Sequence, residues 1–177
     1  MTETPAPYHA RRLPTALVCE RASKVKLVCF DVDGTLTDGR IGYAGTERVL
    51  FFHTHDGHGI HSLADVGIPV AWITANRSLC VADRAHALKV RHLYQGRADK
   101  DQALLTIMEE ARVKPDEIAY LGDDRNDVNA MLMVGLAAAV ANAMPAAIAA
   151  AHYVTERDGG KGAARELCDL ILAAQGK

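Results

Sequence analysis

One stretch constrains this chain more than any other. Val25-Lys-Leu-Val-Cys-Phe30 is almost continuously apolar, and it is closed by Asp31 and followed by Val32-Asp33-Gly34-Thr35. Alternation of polar and apolar residues would mark a strand with one wet face. A run apolar at nearly every position marks a strand buried on both faces, as in a parallel sheet. Two later runs, Ile68–Thr74 and Ile118–Leu121, have the same character and also lead into polar residues. Shorter strands are expected at 92–94, 136–140 and 152–155. Helical patterns at 57–66, 78–88, 99–111, 126–133 and 162–174, with a short helix opened by Pro145, lie between or after them. Strands alternating with helices predict βαβ units, hence an α/β Rossmann-like three-layer fold with a parallel central sheet and helices on both faces. Gly39 to His53 alternates loosely around Ala44-Gly45 and predicts a β-hairpin inserted after the first strand. Residues 16–23 predict a short helix docked on the body.

The 177 residues suffice for one domain, expected over 16–177 behind a flexible N-terminus at 1–15. A hydrophobic share of 49% with 24% charged residues excludes disorder and coiled coil. A net charge of −2 argues against a nucleic-acid partner. Cys19, Cys29, Cys80 and Cys168 lack zinc-site spacing, and Cys29 reads as a buried thiol. The opening residues contain no apolar signal core, so a reducing, cytoplasmic setting is expected. Val128 to Thr155 has no Asp, Glu, Lys or Arg, but it is too rich in Ala to span a membrane.

Position carries the chemistry. Asp31, Thr74 and Asp123 each end or directly follow a buried strand, and ligands of open α/β sheets bind beyond those strand ends. Asp31 and Asp123, with the main chain of Asp33, would form a hard-oxygen site suited to Mg²⁺. The Thr74 hydroxyl and the Lys100 ammonium suit phosphate oxygens. Asp31 can attack phosphorus. Asp33 can protonate the leaving alkoxide and then deprotonate water. Gly34 lets the chain turn so that both carboxylates face one space.

Asp31-Val-Asp-Gly-Thr35, Thr74, Lys100 and Gly122-Asp-Asp-Arg-Asn-Asp127 resemble, in order, the four motifs of the haloacid dehalogenase-like (HAD) phosphatases. The resemblance implies Asp31 as nucleophile, Asp33 as acid/base, Thr74 and Lys100 on phosphate, and Asp123 on Mg²⁺ supported by Asp124 and Asp127. Forty-three residues separate Asp31 from Thr74 and twenty-six separate Thr74 from Lys100, too few for a cap domain. From about residue 16 onward the chain is similar to the capless branch that includes the 3-deoxy-D-manno-octulosonate 8-phosphate (KDO 8-phosphate) phosphatases. The stretches FFHTHDGHGI, HLYQGRADK and YVTERDGGKGAARELCDLIL carry this likeness. It implies a phosphorylated sugar acid as substrate, a role in supplying KDO for lipopolysaccharide, and a homotetramer in which hairpins associate and the Gly-rich tail completes a neighbouring site. The apolar run Val49-Leu-Phe-Phe52 suits such association.

The chain departs from the branch at Ala75-Asn76-Arg77, where Gly-Arg is usual. Asn76 and Arg77 are therefore the expected substrate contacts, together with His55 and the tail residues Lys161 and Arg165. His53, His55, His58 and His61 are not needed beside a hard-cation site. Two alternatives stay open at this level. One is a phosphatase of a nine-carbon acidic sugar phosphate. The other, from a different class, is a receiver-like domain that holds a phosphoryl group without turning it over.

Overall fold

The computed structural model describes residues 14–177. The expected flexible N-terminus lies outside the described residues except for Pro14 and Thr15. Thr15 caps the first helix, α1 (Ala16–Ser23), its hydroxyl accepting from the Val18 N–H at 3.3 Å.

Six parallel strands form the central sheet: β1 (Leu27–Phe30), β4 (Val70–Thr74), β5 (His92–Gln95), β6 (Ile118–Gly122), β7 (Leu136–Ala139) and β8 (Tyr153–Val154), in the order β5-β4-β1-β6-β7-β8. Every residue of β1, β4, β6 and β7 is buried, as their apolar runs require. Phe30, Trp72 and Tyr120 are the largest side chains enclosed with them. The chain builds outward from β1 through β4 and β5, then crosses back to lay β6 on the other side of β1. That reversal opens a crevice between the carboxyl ends of β1 and β6. Phe30 is in register with Leu121, and the Asp31 N–H donates to the Leu121 carbonyl at 3.0 Å. Asp31 and Asp123 thus emerge side by side.

The helices form two groups. The first contains α1, α2 (Thr54–Asp65) and α7 (Ala163–Ala174). The second contains α4 (Lys100–Ala111), α5 (Val128–Met131) and α6 (Pro145–Ala150). Between β4 and β5 runs only α3 (Leu79–Ala87). The inserted hairpin pairs β2 (Gly42–Ala44) with β3 (Glu47–Val49) and turns at Gly45, whose φ is +65°. Among the described residues no cap domain lies between β1 and β4 or between β4 and β5. No described helix is long and apolar enough to cross a membrane.

Three details differ from the sequence reading. Helix α2 starts three residues before the expected position, capped by His53, whose Nδ1 accepts from the His55 N–H at 3.2 Å. Gly57 and Gly59 mask its start, yet both serve packing: Arg84 lies against Gly57, and Arg165 and Cys168 lie against Gly59. The expected helix at 126–133 is a 3₁₀ turn, Arg125–Asp127, leading into α5. Finally, Val49–Phe52 is only partly a surface. Leu50 is buried and Phe52 stacks on Trp72 at 6.0 Å, whereas Phe51 is 66% exposed.

Candidate active site

Lys100, the first residue of α4, is wholly buried and lies between two carboxylates. Its Nζ donates to Asp31 at 2.5 Å and to Asp127 at 2.6 Å. The same Asp127 oxygen accepts from the Tyr120 hydroxyl at 2.8 Å, while its other oxygen accepts the Asp123 and Asp124 N–H groups at 3.1 and 3.2 Å. Asp127 is thus fully engaged, and it fixes the loop that presents Asp123. Carboxylate oxygens of Asp31, Asp123 and Asp127 lie within 4.8 Å of one another. Gly34, at φ +93°, makes this crowding possible, because a methyl there would collide with the Asp123 carboxylate.

Burial, followed by the Asp127 charge, pushes the Asp31 carboxyl well above the usual range against the pull of Lys100. Burial and then Asp127 likewise raise Asp123 to about 6. Burial works against the Lys100 charge, but Asp31 and Asp127 outweigh it and hold Lys100 above its ordinary value as an ammonium. Tyr120 is pushed up by burial and by Asp127, so it remains a phenol donor. Two buried carboxylates, Asp31 and Asp127, and the half-buried Asp123 facing one ammonium make an undercompensated negative pocket, which fits a hard divalent cation. Both Asp127 oxygens are already engaged, which leaves Asp31 and Asp123 as the carboxylates that could take such a cation.

Asp33 turns the other way. One of its oxygens accepts from the Thr74 hydroxyl and the Asn76 amide, each at 3.0 Å, and the other faces Arg48 Nη2 at 3.2 Å. Its side chain is therefore not in the carboxylate trio, and only its main chain is left for the metal role expected of Asp33. The Thr74 hydroxyl also accepts the Asn76 N–H at 3.1 Å. Asn76, expected on the substrate, donates its side-chain amide to Asp33. Arg48 and Arg77 line a cleft of about 530 Å³ whose walls are the hairpin, the start of α3 and the end of β5.

Other expected residues are placed elsewhere. Asp124 caps its own 3₁₀ turn, accepting from the Arg125 N–H at 2.6 Å, because that turn starts one residue after it. His55, Lys161 and Arg165 do not line the cleft. His55 sits edge-on to His53, Lys161 pairs with Asp158 at 3.0 Å, and Arg165 pairs with Asp169 at 2.7 Å. Within the chain the Gly-rich segment packs against the loop after β1. Gly159 lies against the Gly34 carbonyl, and the Gly160 N–H donates to the Thr35 carbonyl at 2.9 Å. Buried Asp56 then accepts the Gly162 and Arg165 N–H groups at 3.3 and 2.8 Å. The tail buttresses its own catalytic loop, and its glycines permit that approach. Arg48, Tyr120 and Asp56 escaped the sequence reading. Only Tyr120 had a signal, since strand parity puts it on the same side as Gly122.

The family profile of the haloacid dehalogenase-like hydrolases matches residues 78–167. The 3-deoxy-D-manno-octulosonate 8-phosphate phosphatase KdsC of Yersinia pestis is 45% identical over 162 residues, covering 90% of this chain and 86% of that protein. A crystal structure of the Yersinia pestis phosphatase superposes with a TM-score of 0.90 at 43% identity, covering 93% of each chain. The Moraxella catarrhalis phosphatase, crystallised with magnesium, phosphate and KDO, gives a TM-score of 0.88 at 37% identity over 90% of this chain and 92% of that one.

Proposed function

This chain belongs to the haloacid dehalogenase-like hydrolases, and from that membership we infer its activity: it is a Mg²⁺-dependent phosphomonoesterase that hydrolyses KDO 8-phosphate to KDO and phosphate. The observation that carries the reading is Asp31, closing the first buried strand within hydrogen-bond reach of Lys100 and beside Asp123. The similarity to the KDO 8-phosphate phosphatases along nearly the whole chain supports the substrate.

Asp31 attacks the phosphorus and forms an aspartyl-phosphate. Asp33 gives a proton to the departing sugar alkoxide. It then takes a proton from the water that attacks the acyl phosphate, which restores Asp31 and releases inorganic phosphate. Thr74 and Lys100 hold the phosphoryl oxygens, and Lys100 keeps Asp31 aimed. Asp127 and Tyr120 position Lys100 and the Asp123 loop. Asp31, Asp123 and the Asp33 main chain would hold Mg²⁺, with Asp124 following Asp123 on the same loop. Bound there, the cation neutralises charge on the phosphoryl oxygens. Phosphate release in the presence of Mg²⁺ tests this directly: Asp31→Asn should lower kcat by at least about a thousandfold.

Asn76 in place of a guanidinium favours one further reading, a nine-carbon acidic sugar phosphate as the better substrate. Comparing kcat/KM for the eight- and nine-carbon acids decides between them. We also propose that the protein works in the cytoplasm as a homo-oligomer, a tetramer by analogy with its branch. The exposed Ile41, Tyr43 and Phe51 around the hairpin support the assembly.

A further inference from the structure

We propose that Arg48, on strand β3 of the inserted hairpin, binds the carboxylate of the sugar acid and, with Arg77, makes this cleft selective for acidic substrates. The inference rests on the sugar-acid phosphatase reading above and names the side of the site that reads the acid. Arg48 is mostly enclosed, its side chain being 17% exposed, and it spends one nitrogen on Asp33. Its Nε is buried with no hydrogen-bond partner. A buried guanidinium donor left unpaired costs free energy that an incoming oxygen recovers. Arg77 lines the same cleft, lies over Gly96, and has no acidic partner among the described residues. Thr46, Ser78 and Gln95 add polar groups to the wall, and no acidic residue is among its described lining. A cleft of about 530 Å³ holds a sugar acid, and two guanidiniums in it suit a carboxylate, whose oxygens accept their paired N–H groups. Because Arg48 also touches Asp33, the acid-recognising group is in contact with the group that serves the leaving alkoxide. A carboxylate seated on Arg48 would place the far end of the substrate while the phosphoryl group meets Asp31.

The test compares two phosphomonoesters, KDO 8-phosphate and arabinose 5-phosphate, which lacks the carboxylate, on wild type and Arg48→Gln. Loss of the Asp33 contact lowers both by a common factor. Loss of carboxylate binding lowers kcat/KM for the acid by an additional factor of about 10–100. Equal loss on both substrates overturns the proposal while leaving the phosphatase reading intact. Failure of wild type to hydrolyse either substrate overturns both. Should Arg48→Gln not fold, the same comparison is made on Arg48→Lys, and inhibition of wild type by KDO and by its methyl ester tests whether the carboxylate is recognised at all. The free acid is expected to inhibit at least about tenfold more tightly, and equal inhibition overturns the proposal.

Discussion

Lys100 shows how one residue serves both stability and chemistry. It satisfies two buried carboxylates, so removing its charge leaves Asp31 and Asp127 uncompensated. Lys100→Met should destabilise the metal-free protein by about 3–5 kcal/mol at pH 8, measured by urea denaturation. The sign of its pH dependence follows from Asp31, whose carboxyl is raised in the fold. A raised carboxyl binds its proton more tightly folded than unfolded, so its penalty is absent below about pH 4 and grows as pH rises. The variant should therefore lose less stability at pH 5 than at pH 8. An equal loss at both would mean that these carboxylates do not carry charge in the fold. Asp31 and Asp123 were legible together because each directly follows a strand that its own apolar run defines. Arg48 was not legible, because a charged residue in a short hairpin reads as solvated until the hairpin's position over Asp33 is known.

At the scale of elements, the segment from Gly159 to Gly162 ties α7 to the loop after β1. Gly159→Ala would drive a methyl into the Gly34 carbonyl, a backbone atom that cannot step aside. We expect a loss of about 1–3 kcal/mol together with a clear fall in kcat, since the catalytic loop must shift. Gly45→Ala is the control: its left-handed backbone is strained by the change, but nothing lies within 4 Å of the new methyl, so kcat should hold. Kinetics of the two variants at matched folded concentration would expose an error here, namely equal kcat in both. The buried strands were readable from their continuous apolar runs. The start of α2 was hidden by two glycines, which lower helix propensity yet are needed where Arg84 and α7 come close. The contact of Gly159 and Gly160 with the loop after β1 was unreadable for a related reason: glycines announce a close approach without saying to what.

For the whole molecule, the sheet order puts the reaction at the reversal beside β1, and the absence of a cap in the described chain leaves that crevice open. An open site and an exposed Phe51 fit an assembly built through the hairpin face. Light scattering should report an oligomer for wild type and a smaller species for Phe51→Glu with an unchanged circular dichroism spectrum, and a monomeric wild type would remove this part of the account. The claim beneath everything else is that a phosphoryl group passes through Asp31. Quenching the enzyme during turnover and reducing it with borohydride converts an aspartyl-phosphate to homoserine, which peptide mass mapping locates. Homoserine at position 31 is the predicted result; an intact Asp31 with the phosphoryl group on another side chain, such as a histidine of α2, would contradict it.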